Sequence, residues 1–189
     1  MWDELMGKTN YNGAYVYLSD GGHFENLGLY ELARRRCKVI IVSDASTDPE
    51  ARFQALGNAI ERCRVDLGAE IDLRVMPSQG GDPFKSGISM GRITYADGQV
   101  GVLCYIKPIL NLTMPLDAHA YAQRDSEFPH HPIREQWFGE SQFESYRILG
   151  RSIADVLCTE IVAGRTGNLY ERCVEVSARY YGGGGRVVA

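Results

Sequence analysis

Two short stretches of the chain carry residues that could do hydrolytic chemistry. The first is Asp20-Gly21-Gly22, which follows a run of β-forming residues at 14–19 and precedes Asn26. A carboxylate at the carboxyl end of a buried strand lies at the edge of an α/β sheet, where ligands bind, and glycines let the backbone turn tightly beside it. A helix N-terminus close by favours the ionised carboxylate that a general base needs. Asp20 is the candidate base, and Gly21, Gly22 and Asn26 form its supporting turn.

The same residues also suit a purely structural role. Asp-Gly-Gly is common between a strand and a helix, where the aspartate accepts hydrogen bonds from backbone N–H groups. Taken alone, Asp20, Gly21 and Gly22 favour this second interpretation. Asn26 has an equal claim to be the N-cap of the helix that follows.

The second stretch, Gly87-Ile88-Ser89-Met90-Gly91, fits the G-x-S-x-G pattern of a nucleophile elbow. An elbow needs a buried strand just before the serine and a helix just after it. Here residues 79–86 read as a loop, and the residues beyond Gly91 predict a β-hairpin. We therefore expect Ser89 to lie at the start of a strand and not to act as a nucleophile.

Other polar groups give weaker signals. Asp44 ends the next predicted strand, and we expect it to cap the following turn. The His23–Glu25 segment lacks the cysteine pair that would complete a zinc site. The His130-His131 pair lies between prolines and is expected in solvent. The sequence predicts no cofactor and no metal ligand set.

Bulk composition narrows the class of protein. The chain has 189 residues, a net charge of −4 and 44% hydrophobic residues, which is ordinary for a globular protein and argues against a nucleic-acid partner. The five cysteines are odd in number and lack zinc or redox spacing, so we expect reduced thiols. No apolar run approaches the roughly 20 residues that span a bilayer. The expected location is the cytoplasm, with membrane association of a full-length protein left open.

The elements that would position Asp20 alternate between strand and helix. Residues 14–19, 38–43 and 71–76 favour strands, and two helices are predicted at 25–36 and from Pro49 to Gly68. Asp48 is the expected N-cap of the second helix. This alternation predicts an α/β fold with a mostly parallel sheet.

The pattern changes in the second half of the chain. Strands flank Asp97-Gly98 in a predicted hairpin, and a short helix is expected near 117–124. A capping box at 141–144 predicts the start of the last long helix, whose buried stripe includes Phe143. We expect one domain portion at 1–170 and a flexible tail at 171–189.

The segment from Leu18 to Leu32, Leu-Ser-Asp-Gly-Gly-His-Phe-Glu-Asn-Leu-Gly-Leu-Tyr-Glu-Leu, resembles the aspartate-bearing segment of the patatin-like phospholipases. It is typical of a bacterial branch of that superfamily, which is related to the group-IV cytosolic phospholipases. The resemblance implies a three-layer α/β/α sandwich and a Ser–Asp dyad that degrades lipids. The serine attacks a lipid or acyl ester, Asp20 takes its proton, and a glycine-rich loop stabilises the oxyanion.

The chain departs from that family in one respect. The family's oxyanion loop and serine elbow precede the aspartate by a long stretch, whereas nineteen residues precede Asp20 here. We therefore expect the C-terminal, aspartate-bearing part of a serine lipid acyl hydrolase. Without the N-terminal half of the catalytic domain it would be an incomplete sandwich with little activity alone. The alternatives are a non-catalytic α/β binding module, a rearranged Ser89–Asp20 dyad and, last, a metal-dependent hydrolase.

Overall fold

The computed structural model describes Met6 and residues 20–75, 87–110, 114–132 and 134–180. The predicted strand at 14–19 lies outside these residues. The described helices are α1 (Leu29–Arg34), α2 (Gln54–Leu67), α3 (Leu116–Ala122), α4 (Glu140–Val162) and α5 (Leu169–Tyr180). The described strands are β1 (Val39–Ser43), β2 (Glu70–Asp72), β3 (Ile88–Thr94) and β4 (Val100–Ile106).

The four strands form one mixed sheet in the order β1-β4-β3-β2. β1 and β4 are parallel, and their register runs from Val39 opposite Val102 to Ser43 opposite Ile106. β3 pairs antiparallel with both β4 and β2. The α/β class is confirmed, as is the hairpin. A mostly parallel ladder is wrong for the described strands, because the hairpin inserts between β1 and β2. β2 still runs in the direction of β1, as a strand–helix–strand crossover requires, but its neighbour is β3.

Helices cover both faces of the sheet. On one face, α1 and α2 pack over a core that is buried because every second strand residue points towards it. This core includes Leu29, Ile40, Val42, Leu56, Leu103 and Tyr105. On the other face, α4 and α5 pack over a second core. It includes Ile88, Met90, Val102, Cys104, Leu149, Ile153 and Val176.

The second helical layer does not fully cover β1. Ile41 lies in the middle of this apolar strand and is 52% exposed, whereas its neighbours Ile40 and Val42 are each 1% exposed. β1 is also the outer strand of the described sheet. Apolar surface therefore remains open on one face of this edge.

Three predicted helix boundaries are corrected. α2 begins at Gln54 and not at Pro49, because the Asp48 carboxylate accepts the N–H groups of Arg52 and Phe53 in a separate turn, at 2.8 and 2.9 Å. The predicted capping box does not form, since α4 starts at Glu140 after Gly139.

The third boundary concerns the end of the chain. Residues 169–180 form α5, with Cys173 and Val176 buried against the sheet, where we expected a flexible tail from 171. Residues 181–189 lie outside the described part. The buried stripe of α4 includes Leu149, Ile153 and Leu157. Phe143 is 61% exposed, so the prediction that it belongs to this stripe is wrong.

All five cysteines are free thiols, as expected. Within the described ranges, no helix is both long enough and apolar enough to cross a bilayer.

Candidate functional site

Asp20 opens a single 3-10 turn, Gly21–His23, that leads towards α1. Its side chain is exposed, and Oδ1 accepts a hydrogen bond from the Gly22 N–H at 3.2 Å. The Asp20 carbonyl accepts the His23 N–H at 3.1 Å. The carboxylate therefore caps a turn, as the structural interpretation expected, and it is also accessible to a reacting group, as a general base must be.

Gly22 keeps the space beside this carboxylate open. A Cβ atom at Gly22 would lie 2.6 Å from Asn26 Oδ1 and 3.4 Å from Asp20 Oδ2. A side chain at this position would clash with the Asn26 amide oxygen and would contact the Asp20 carboxylate. The supporting turn thus brings Asp20, Gly22 and Asn26 together, and Gly21 lies exposed between them.

Asn26 is not the N-cap of α1. That position belongs to Gly28, which has a φ of 70°. The carboxylate of Glu25 caps the helix instead, because it accepts the N–H groups of Leu27 and, at 3.1 Å, Tyr30. The Glu25 carboxylate has two acceptor oxygens for these two N–H groups, whereas the Asn26 side chain has only one.

A polar cleft lies next to Asn26, at the carboxyl end of β1. Its walls come from the loop after β1 and from the first turn of α2, and its volume is about 380 Å³. The lining residues are Asn26, Ser46, Thr47, Asp48, Pro49, Glu50, Arg52, Gln54, Ala55 and Asn58. In α/β sheets this edge is where ligands bind.

A buried ion pair lies beneath the loop that lines the cleft. Asp44 and Lys107 are each 1% exposed, and Lys107 Nζ lies 3.3 Å from Asp44 Oδ2. Lys107 Nζ also donates to the carbonyl and the hydroxyl oxygen of Ser46, both at 3.2 Å, and lies 3.8 Å from Asp48 Oδ2. The Tyr105 hydroxyl donates to Asp44 Oδ2 at 2.5 Å. These contacts fix the loop after β1 to the end of β4.

The electrostatics of this cluster favour an ionised Asp44. Burial by itself raises the pKa of that carboxyl, but hydrogen bonds from Ser46 and Tyr105 and the charge of Lys107 together hold the pKa below its usual value. Burial and the Asp44 carboxylate raise the pKa of Tyr105, so its hydroxyl remains a donor. Asp44 also accepts the Ser46 N–H at 2.9 Å, which confirms its predicted role in capping the turn.

The two adjacent histidines pack against this loop and are not in solvent, contrary to expectation. His131 has a side chain that is 4% exposed, and its carbonyl accepts the Thr47 hydroxyl at 2.8 Å. Burial, and then the Lys107 charge, lower the pKa of His130. The burial of His131 and the lowered pKa of His130 both follow from the close packing of residues 130–131 on the loop after β1.

Ser89 lies in β3 and is fully buried. Its hydroxyl donates to the carbonyl of Arg74 at 2.6 Å. The backbone geometry requires glycine on either side of this serine. Gly87 has a φ of 74°, and a Cβ at Gly91 would lie 2.5 Å from the Asp72 carbonyl oxygen. The G-x-S-x-G pattern therefore reflects close strand packing, and the prediction that Ser89 begins a strand is confirmed.

No family model matches the chain, and neither does any curated protein or solved structure. The site is therefore interpreted from its own residues.

Sequence reasoning missed Lys107 and its contacts with Asp44 and Ser46. The signal was present, because Asp44 and Lys107 each follow directly after an apolar strand. The parallel register that pairs Ser43 with Ile106 places the next residues of both strands side by side. That register depends on β4 returning next to β1, which the order of elements along the chain does not reveal.

Proposed function

We propose that this chain carries the aspartate base of a serine lipid acyl hydrolase of the patatin-like phospholipase type. In this mechanism Asp20 accepts the proton of a serine hydroxyl as that serine attacks a lipid or acyl ester. The supporting turn of Gly21, Gly22 and Asn26 keeps the carboxylate in place and leaves room for the approaching serine.

One observation carries the proposal: the Asp20 carboxylate is exposed while one of its oxygens is held by the Gly22 N–H. That bond fixes one oxygen of the carboxylate, and its exposure lets a serine hydroxyl approach. The polar cleft beside Asn26 adds a space of a size suited to part of a substrate.

The serine partner in this proposal is not Ser89. A nucleophile must lie about 3 Å from its base and be open to substrate. Ser89 is 0% exposed and bonded to a backbone carbonyl inside the sheet. The serine and its oxyanion loop are instead proposed to come from a segment beyond these 189 residues. Such a segment would also pack against Ile41, which is 52% exposed on the outer described strand.

The proposal can be tested with two purified proteins. One is the 189-residue chain, and the other is the same chain extended by any coding sequence that precedes Met1. We expect the extended protein to hydrolyse a short-chain p-nitrophenyl ester and to bind a fluorophosphonate probe, and the short chain to do neither.

Two results would count against the proposal. Hydrolysis by the short chain would place a nucleophile within it. An inactive extended protein that nonetheless binds lipid vesicles would favour the alternative of a non-catalytic binding module.

A further inference from the structure

A second cluster of potential ligands lies in the segment between α3 and α4, away from Asp20. One donor atom from each of Glu127, His131 and Glu135 lies within 4.8 Å of the other two. Neighbouring donors around a bound metal ion are about 3.0–3.4 Å apart, given metal–ligand distances of about 2.0–2.2 Å. Small side-chain rotations of the two glutamates would close that gap. We propose that these three residues bind a divalent transition-metal ion of the Zn²⁺ or Mn²⁺ class.

The histidine is already oriented as a metal ligand would be. His131 Nε2 lies 3.0 Å from Asp125 Oδ2, and its Nδ1 lies 2.7 Å from the Tyr146 hydroxyl. In the tautomer with the proton on Nε2, the ring donates to the Asp125 carboxylate and Nδ1 accepts from the Tyr146 hydroxyl.

A carboxylate bonded to one ring nitrogen is the arrangement that orients metal-bound histidines in proteins. Asp125 fixes the ring from behind, and Nδ1 faces the side of Tyr146. A cation bound by Nδ1 and the two glutamates would take the place of the Tyr146 hydroxyl at that nitrogen.

The charge of the cluster also favours a cation. Asp125, Glu127 and Glu135 gather three carboxylates around one imidazole. Within the described part of the chain, neither Glu127 nor Glu135 forms an ion pair with a lysine or arginine. Glu135 is held by the Gln142 amide at 3.1 Å, which positions it without neutralising it.

The donor set selects the class of ion. Imidazole nitrogen with two carboxylates suits Zn²⁺, Mn²⁺ or Co²⁺, whereas Ca²⁺ and Mg²⁺ prefer oxygen ligands alone. The side chain of His131 is 4% exposed, so its nitrogen is shielded from competing water. Glu127 is exposed and gives the ion a path from solvent.

The test is calorimetric titration of the metal-free 189-residue protein with Zn²⁺ and with Mn²⁺. We expect one equivalent to bind, and Glu127→Gln and Glu135→Gln each to weaken binding at least tenfold. Asp125→Asn should weaken it by about 10–100-fold by releasing the ring. Tyr146→Phe should retain binding, because it removes the group that competes for Nδ1. Glu140→Gln, an exposed neighbour in α4, is the matched control and should bind like the wild type.

Thiols are the main competing ligands, so Co²⁺ absorption is recorded in parallel. A strong thiolate charge-transfer band, or equal binding by wild type and both glutamine variants, would overturn the proposal. So would no binding at all, or tighter binding of Ca²⁺ than of Zn²⁺. Because Glu127 is exposed, Glu127→Gln should fold even if a substitution at the buried His131 does not.

Discussion

Replacement of Lys107 by methionine tests whether the buried ion pair supports the loop along the cleft. The substitution keeps most of the side-chain volume and removes the ammonium group. Asp44 then stays buried with the Tyr105 hydroxyl and the Ser46 N–H as donors, but without its charged partner.

The expected cost follows from the geometry. Two unit charges 3.3 Å apart attract by about 5 kcal/mol at an effective dielectric constant of about 20. Removing one partner of a buried pair costs about 3–5 kcal/mol, since the remaining charge is left without compensation. We therefore expect Lys107→Met to lower the free energy of unfolding by about 3–5 kcal/mol at neutral pH, measured by urea denaturation.

The cost should depend on pH. In the wild type the folded pKa of Asp44 lies below its usual value, so its contribution to stability is present above about pH 4 and is lost as the pH falls through that folded pKa. In the variant, burial acts without Lys107 and should raise the pKa of Asp44. The cost of burying the Asp44 charge then disappears when the carboxyl is protonated. The difference in free energy of unfolding between the two proteins should therefore narrow as the pH falls from about 7 to about 4.5.

The exposed pair of Arg151 and Asp155 provides the control. These side chains lie 3.7 Å apart and are 67% and 71% exposed. Arg151→Met should leave stability close to that of the wild type, because solvent screens such a pair. The reasoning would be refuted if Lys107→Met cost less than about 1 kcal/mol, or if its cost were the same at both pH values.

Two further predictions concern the glycine–serine stretch in β3. Gly91→Ala should lower the free energy of unfolding by about 1–3 kcal/mol, because the new Cβ would lie 2.5 Å from the backbone oxygen of Asp72; an unchanged urea midpoint would contradict this. Ser89→Ala should lower the free energy of unfolding by only about 0.5–1.5 kcal/mol, which is the value of the hydrogen bond from Ser89 to the Arg74 carbonyl. A fluorophosphonate adduct at Ser89 in mass spectra would contradict the interpretation of Ser89 as an unreactive strand residue.

Local sequence signals predicted the parts of the fold that depend on neighbouring residues. The hairpin turn at Asp97-Gly98 and the end of α2 at Gly68 were both predicted, because glycine adopts left-handed backbone at each; φ is 83° and 61°. The strand context of Ser89 was predicted because an elbow needs a helix that the sequence does not supply.

Features set by tertiary packing were not predictable in the same way. The neighbour of β2 depends on the hairpin inserting beside β1. Helix starts were also missed, because Asp48 and Glu25 cap turns at distances along the chain that ordinary N-cap rules do not cover. The cluster of Glu127, His131 and Glu135 was not predicted, because Glu127 and Glu135 come together only through the folded loop.

For the candidate site, the sequence predicted the turn at Asp20 but not the cleft beside it. Gly22 and Asn26 were predicted to form one turn with Asp20, and the structure brings them together. The buried Lys107 beneath the neighbouring loop was not predicted, since a lone lysine after a strand is ordinarily in solvent.

The most direct test of the central claim is turnover by Asp20→Asn in the protein extended upstream of Met1. The asparagine Oδ1 can still accept the Gly22 N–H, so the turn should persist while the base is lost. Asp155→Asn, on the exposed face of α4, is the matched control. The account predicts that Asp20→Asn unfolds at the same urea concentration as the wild type and loses at least about a hundredfold in kcat, in line with removal of a general base. Turnover within a few fold of the wild type in a folded Asp20→Asn protein would contradict it.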